Sequence, residues 1–176
     1  MFSRCGNVLE GVCIMAKHWT GDAALVDSLS RNLYEALPLL PKRLVKVDAI
    51  TREFGMPFSH IQILCMLSGT EMSIGEISAR LGIAKPNVTP LLDALAARGL
   101  LIRCKCEADR RIVNVRLLQE GCELAEKLRC SIASQVMGWP EGFSHSDITR
   151  LNNALAYLID VGKRLAEVDG SITSDK

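Results

Sequence analysis

Two short helical patterns joined by Gly82-Ile83-Ala84, followed after Gly99 by a change of hydrophobic period, restrict this chain more than any other feature. In Ser73-Ile74-Gly75-Glu76 a serine and a glutamate stand three apart, so each side chain can take up a free backbone N–H of the other's turn. That spacing predicts a helix from about Ile74 to Leu81, with Gly82 as its stop. The second pattern runs from Lys85 to Arg98, with Val88, Leu91, Leu92 and Leu95 on one face and Gly99 as its stop. Together they make a helix-turn-helix. From Leu100 the period falls to two. Leu100 to Lys105 reads as one strand, and Ile112 to Leu118 as another, with Val113, Val115 and Leu117 on one side and Asn114 and Arg116 on the other. The polar residues Cys106-Glu107-Ala108-Asp109-Arg110-Arg111 between them form a charged hairpin tip. Two strands bury too little to stand alone, so the hairpin must pack on the helices.

Helical patterns flank this centre on both sides. From Asp22, the positions Leu25, Leu29, Leu33, Leu37, Leu40, Leu44 and Val47 form one long amphipathic stripe, with a break expected near Leu37 to Leu40 because of Pro38 and Pro41. Ser59 and Gln62 form a second expected capping box, opening a helix from about Ser59 to Leu67 in which Cys65 reads as a small core residue. Beyond the hairpin, Gly121 to Met137 is helical, a turn covers Gly138 to Gly142, and a last helix opens at Ser144 to Asp147. Its face is Ile148, Leu151, Leu155, Leu158, Gly162 and Leu165. Residues 1–21 show no sustained periodicity and read as a weakly ordered arm, with Met15 as an alternative start. Residues 170–176 read as a frayed polar tail.

Composition narrows the class. A chain of 176 residues that is 48% hydrophobic has room for one domain with extra arms and is too apolar to be disordered. No apolar run approaches the roughly 18 residues of a membrane span. The best candidate, Val8 to Ala16, contains Glu10 and Gly11 and has neither a basic leader nor a convincing cleavage site. Seven cysteines without regular spacing fit reduced thiols rather than a disulfide framework, so a cytoplasmic protein is expected. His18, His60 and His145 make no metal-binding spacing with them, no Cys is matched with a positioned His, and no Gly-rich phosphate loop occurs. The expectation is a non-enzyme without metal or cofactor.

Charge is where the near-neutral total of +1 misleads. From Arg80 to Arg116 there are eight basic residues against Asp93, Glu107 and Asp109, a net of +5, while the remainder carries −4. The basic segment coincides with the helix-turn-helix and hairpin, the elements that would face DNA.

On these residues the chain resembles the MarR family of bacterial transcriptional regulators. The resemblance lies in Ile74-Gly75-Glu76-Ile77-Ser78-Ala79-Arg80-Leu81-Gly82-Ile83, in Lys85-Pro86-Asn87-Val88-Thr89-Pro90-Leu91-Leu92-Asp93, in Arg98-Gly99-Leu100, in Asp109-Arg110-Arg111 and in Gly121. It implies a mainly α fold: a winged helix-turn-helix with a two-stranded β wing, flanked by N- and C-terminal dimerisation helices. The implied partners are a second copy, a pseudo-palindromic double-stranded operator and a small aromatic effector that releases DNA, as expected of a repressor. The two apolar flanking stripes agree, since they exceed what a compact winged helix can cover. The implied division is an arm over 1–21, a dimerisation region over 22–56, the winged helix over 57–120, and dimerisation helices over 121–169.

Residue by residue, the second helix of the motif reads the major groove. Asn87 suits adenine, Lys85 guanine or phosphate, and Thr89 and Pro90 a thymine methyl. Pro86 sits in the first turn, where its missing N–H costs little, but Pro90 lies deeper and removes a helix bond. In the wing, the resemblance makes Arg111 the arginine that enters the minor groove, held by Asp109, and Arg110 a phosphate contact. Leu118 stands where the family usually carries a capping threonine. Two other readings remain open. Cys104 and Cys106, beside basic residues, are candidate thiols for a redox-sensing regulator of the same fold. A winged helix used only as a protein-interaction module is the alternative of another class, against which the +5 segment argues.

Overall fold

The computed structural model describes residues 23–105, 112–139 and 142–172. The expected arm over 1–21 and the hairpin tip therefore lie outside the described residues. Contacts divide the chain into two compact units, Met1–Arg43 and Leu44–Lys176.

In the first unit the leucine stripe folds as α1 (Ala23–Ala36). The helix ends two residues before Pro38, which disfavours helical backbone in Leu37. The stripe thus breaks where the two prolines lead one to expect it, and a π-helical turn, Leu40–Leu44, forms around Pro41, whose missing N–H cannot support an ordinary α-turn. The leucines of α1 stay open: Leu25, Leu29 and Leu33 are 61%, 54% and 51% exposed.

The second unit begins with α2 (Val47–Phe54), closed by Gly55 in the left-handed region at φ 58°. Next comes α3 (Phe58–Leu67), whose expected Ser59–Gln62 capping box does not form. Pro57 takes the N-cap position, and the helix starts from its fixed φ of −59° with no side-chain cap. Cys65, expected in the core, is exposed on α3, while Ile63, Leu64 and Leu67 turn inward. A short strand, β1 (Met72–Ser73), then leads into α4 (Ile74–Leu81).

Here the capping box is complete. The Glu76 amide donates to Ser73 Oγ at 3.1 Å, and the Ser73 amide donates to Glu76 Oε2 at 2.6 Å. Gly82, at φ 65°, ends α4 by donating to Ala79 and Ser78 carbonyls. The buried Ser78 hydroxyl donates to the Ile83 carbonyl at 2.6 Å, which ties the turn back onto its own helix. Beyond that turn lies α5 (Lys85–Ala97), and Gly99 at φ 69° redirects the chain.

Strands β2 (Leu101–Lys105) and β3 (Val113–Leu117) pair antiparallel, with Leu101 opposite Leu117 and Cys104 opposite Asn114. The wing base differs from the expected two strands. β1 adds to the free edge of β3, with Met72 opposite Val115, giving the sheet order β1-β3-β2. Two residues are too few to show alternation, so only the paired partner reveals this strand. Helices α6 (Gln119–Met137) and α7 (His145–Ile172) complete the unit, the last continuing past the expected end at Asp169. α6 starts from Leu118 with no side-chain cap, as expected from the missing threonine. None of the described side chains of α7 is buried.

One contiguous core joins the elements of the winged helix. It runs from Ile63, Leu64 and Leu67 on α3 through Ile77 on α4, Val88, Leu92 and Leu95 on α5 and Val115 on β3 to Ala125 and Leu128 on α6. At its edge, the Leu100 amide donates to the Leu95 carbonyl at 3.1 Å, and the Leu100 carbonyl accepts from the Leu118 amide at 3.0 Å. Gly121 packs onto that same carbonyl so closely that a β-carbon would lie 2.0 Å from the Leu100 oxygen. Replacing Gly121→Ala forces backbone apart in a packed site and is expected to destabilise the fold by about 1–3 kcal/mol or more. A shift of the urea midpoint at unchanged slope measures it.

Candidate nucleic-acid interface

Helix α5 buries Val88, Leu92 and Leu95 and leaves Lys85, Pro86, Asn87, Thr89 and Pro90 exposed. This is the segregation the 3.6-residue period dictates, and it presents the helix's N-terminal half to solvent. The Asn87 amide donates to the Ala84 carbonyl at 2.8 Å, and its side chain lies on the exposed face. Thr89 Oγ1 reaches back toward the Lys85 carbonyl at 3.5 Å. The end of Lys85 lies across the first turn of α4: a β-carbon on Gly75 would meet its Cε at 3.5 Å and its Nζ at 3.7 Å. Five of the sequence-derived residues are thus gathered on one end of one helix. Asp109, Arg110, Arg111 and Cys106 lie outside the described residues. Cys104 is half-buried on β2.

Two arrangements were not visible from spacing alone. The first involves Arg103. Strand alternation places it on the same side of β2 as buried Leu101, so its side chain runs under the sheet toward α5. Its Nη1 donates to Asp93 Oδ1 at 2.6 Å and its Nη2 to the Thr89 carbonyl at 3.1 Å. Its Nε is buried and has no hydrogen-bond partner among the described residues. The second involves His60 on α3. Its Nδ1 is buried and unpartnered among the described residues, and burial together with the charge of Arg98, at the end of α5, lowers its pKa below 6.5. No group of three or more His, Cys, Asp or Glu side chains among the described residues is arranged to hold a metal, and no described helix is long and apolar enough to cross a membrane.

A capped helix-turn-helix followed by a strand pair, with the second helix's polar end bare, defines a winged helix-turn-helix protein. Comparisons carry this further. A model of the MarR family matches residues 54–112. Over 156 residues the chain is 30% identical to YsmB of Bacillus subtilis (strain 168), described as an uncharacterized HTH-type transcriptional regulator, covering 89% of this chain and 96% of that protein. Among solved structures, a MepR mutant from a multidrug resistant S. aureus clinical isolate is similar with a TM-score of 0.61 at 18% identity, over 75% of this chain and 96% of that one. The MarR family transcriptional regulator SPO1453 from Silicibacter pomeroyi DSS-3 is similar with a TM-score of 0.59 at 25% identity, over 73% of this chain and 93% of that one. The chain belongs to the MarR family and is therefore a DNA-binding transcriptional regulator.

The His60 environment sets an acid-side stability limit. In the fold His60 resists protonation, whereas the unfolded chain takes up the proton near pH 6.5, so stability is full above that value and falls as pH drops from it toward the lower folded pKa. Glu126, hydrogen-bonded by Arg129, and Asp147, hydrogen-bonded by Ser144, have pKa values below the ordinary carboxylate range, so they titrate at more acidic pH. His60→Gln is expected to flatten the dependence of the urea midpoint on pH between about pH 7 and pH 5.

Proposed function

We propose that the protein is a homodimeric repressor that reads a pseudo-palindromic operator through α5 and releases it on binding a small aromatic ligand. The observation that carries the DNA reading is the bare N-terminal half of α5. There Asn87, Thr89 and Pro90 stand clear on the face opposite buried Val88, Leu92 and Leu95, within a segment of net charge +5. Asn87 offers a paired donor and acceptor to an adenine edge, and Thr89 and Pro90 offer apolar contact to a thymine methyl. Lying across the start of α4, the Lys85 ammonium is better sited for a phosphate beside the groove than for a guanine within it. At the wing tip, Arg111 is assigned to the minor groove, Asp109 to holding it, and Arg110 to phosphate.

Dimerisation is supported by the uncovered stripes. Leu25, Leu29 and Leu33 on α1 and Leu155, Leu158 and Leu165 on α7 are all exposed, and a second copy is the partner the family resemblance supplies. Release by an aromatic ligand rests on that resemblance. Leu155→Glu is expected to lower the dimer fraction at micromolar concentration in sedimentation, and a stable folded wild-type monomer under those conditions would contradict the dimer.

The DNA reading is tested by anisotropy titrations with promoter duplexes. Asn87→Ala should reduce discrimination at one base pair by about 1–3 kcal/mol. Arg111→Ala should weaken binding most on sites with A·T-rich flanks. Lys85→Ala should flatten the plot of log affinity against log salt by about one unit per half-site. Unchanged affinity in both Asn87→Ala and Arg111→Ala for every fragment would overturn the assignment of the reading surface.

A further inference from the structure

We propose that Arg103 is a positioning residue for DNA reading: from the inner side of β2 its guanidinium grips the turn of α5 that carries Thr89 and Pro90, and so sets how the reading residues are presented. The proposal rests on α5 being the reading helix. Its two anchor points, the Thr89 carbonyl at 3.1 Å and Asp93 Oδ1 at 2.6 Å, lie four residues apart, so the planar fork spans one turn of the helix.

That turn needs an external hold. Pro90 has no N–H, so the Pro86 carbonyl loses the helix bond that would tie the first turn of α5 to the next. Pro86, Asn87, Thr89 and Pro90 all belong to this weakened stretch. A base contact that is bidentate tolerates little angular error, so a loose turn would blur discrimination before it abolished binding. Arg103 comes from the wing strand, and its grip therefore also fixes the wing base against the reading helix, the two parts that would enter neighbouring grooves.

The same geometry argues against a phosphate role for Arg103. Both terminal nitrogens are engaged with α5, Nε is buried, and the side chain is 31% exposed against 58% for its partner Asp93. One of the eight cations in the basic segment is therefore internally neutralised. Lysine cannot replace it, because a single ammonium does not offer the two diverging donors that these acceptors require.

The test begins with a duplex selected from a random pool by the wild-type protein, and a scrambled duplex of equal length and composition. Failure of the pool to enrich would count against the DNA reading itself, independently of Arg103. With an enriched duplex, Arg103→Lys should lower the ratio of selected to scrambled affinity by about tenfold, the size of one lost charged hydrogen bond. The salt slope should stay unchanged, because no phosphate contact is removed. Asp93→Asn, nearly isosteric, should lower the ratio in the same direction even though it removes a negative charge from the DNA-facing segment. In a Pro90→Ala background, where the helix bond to Pro86 is restored, the loss caused by Arg103→Lys should shrink. A ratio within twofold of wild type for both single variants, measured on protein with native circular dichroism, overturns the proposal. So does a salt slope flattened by about one unit per half-site in Arg103→Lys, whatever the ratio does.

Discussion

The structure of the winged helix turns on the backbone of Leu100. Its amide closes the end of α5 on Leu95, its carbonyl receives Leu118 at the end of the wing, and Gly121 rests on that same oxygen at the start of the long helix that follows. The end of α5, the wing and the C-terminal helix α6 thus meet at one residue. Hydrogen bonds of this kind are individually worth about 1 kcal/mol, but here both are made by one residue, so a shift of its backbone strains both. The left-handed Gly99 immediately before Leu100 makes the meeting sterically accessible. Leu100 itself is buried, which shields these bonds from competing water.

Around that point the sequence was legible where the determinants are local. The Ser73–Glu76 box, the stops at Gly82 and Gly99 and the alternation of Val113 to Leu117 each involve residues within a turn or a strand of one another, and each formed as read. The Ser59–Gln62 pair has the same local form yet failed, because Pro57 already starts α3 two residues earlier. Cys65 was misjudged for a different reason. Ile63-Leu64-Cys65-Met66-Leu67 is apolar all round, so periodicity cannot decide which side of the helix faces inward, and packing on α6 and α5 decides it. The third strand and the grip of Arg103 on α5 depend on pairing between segments distant in the chain, for which no spacing rule exists.

For the candidate surface, residue type and helical phase were enough to gather Lys85, Pro86, Asn87, Thr89 and Pro90 on one exposed end. What phase could not supply was the direction of the Lys85 side chain, which lies across the first turn of α4 beside Gly75. Basic residues counted along a sequence also overstate the charge available to DNA. The Arg103–Asp93 pair shows that a cation within such a cluster can be spent on holding the protein's own architecture.

The break after Ala36 has a consequence for how the N-terminal region becomes ordered. A helix of 14 residues is close to the length at which an isolated helix in water barely outweighs its own nucleation cost. Pro38, two residues past its end, keeps the hydrogen-bond ladder of α1 from being extended. In the proposed dimer, covering its leucines would support its helicity, and the entropy lost in winding it would enter the equilibrium for association. Association of that proposed dimer would therefore be linked to the winding of α1, and its affinity would respond to any residue that changes helix propensity on α1, even one that never touches the partner.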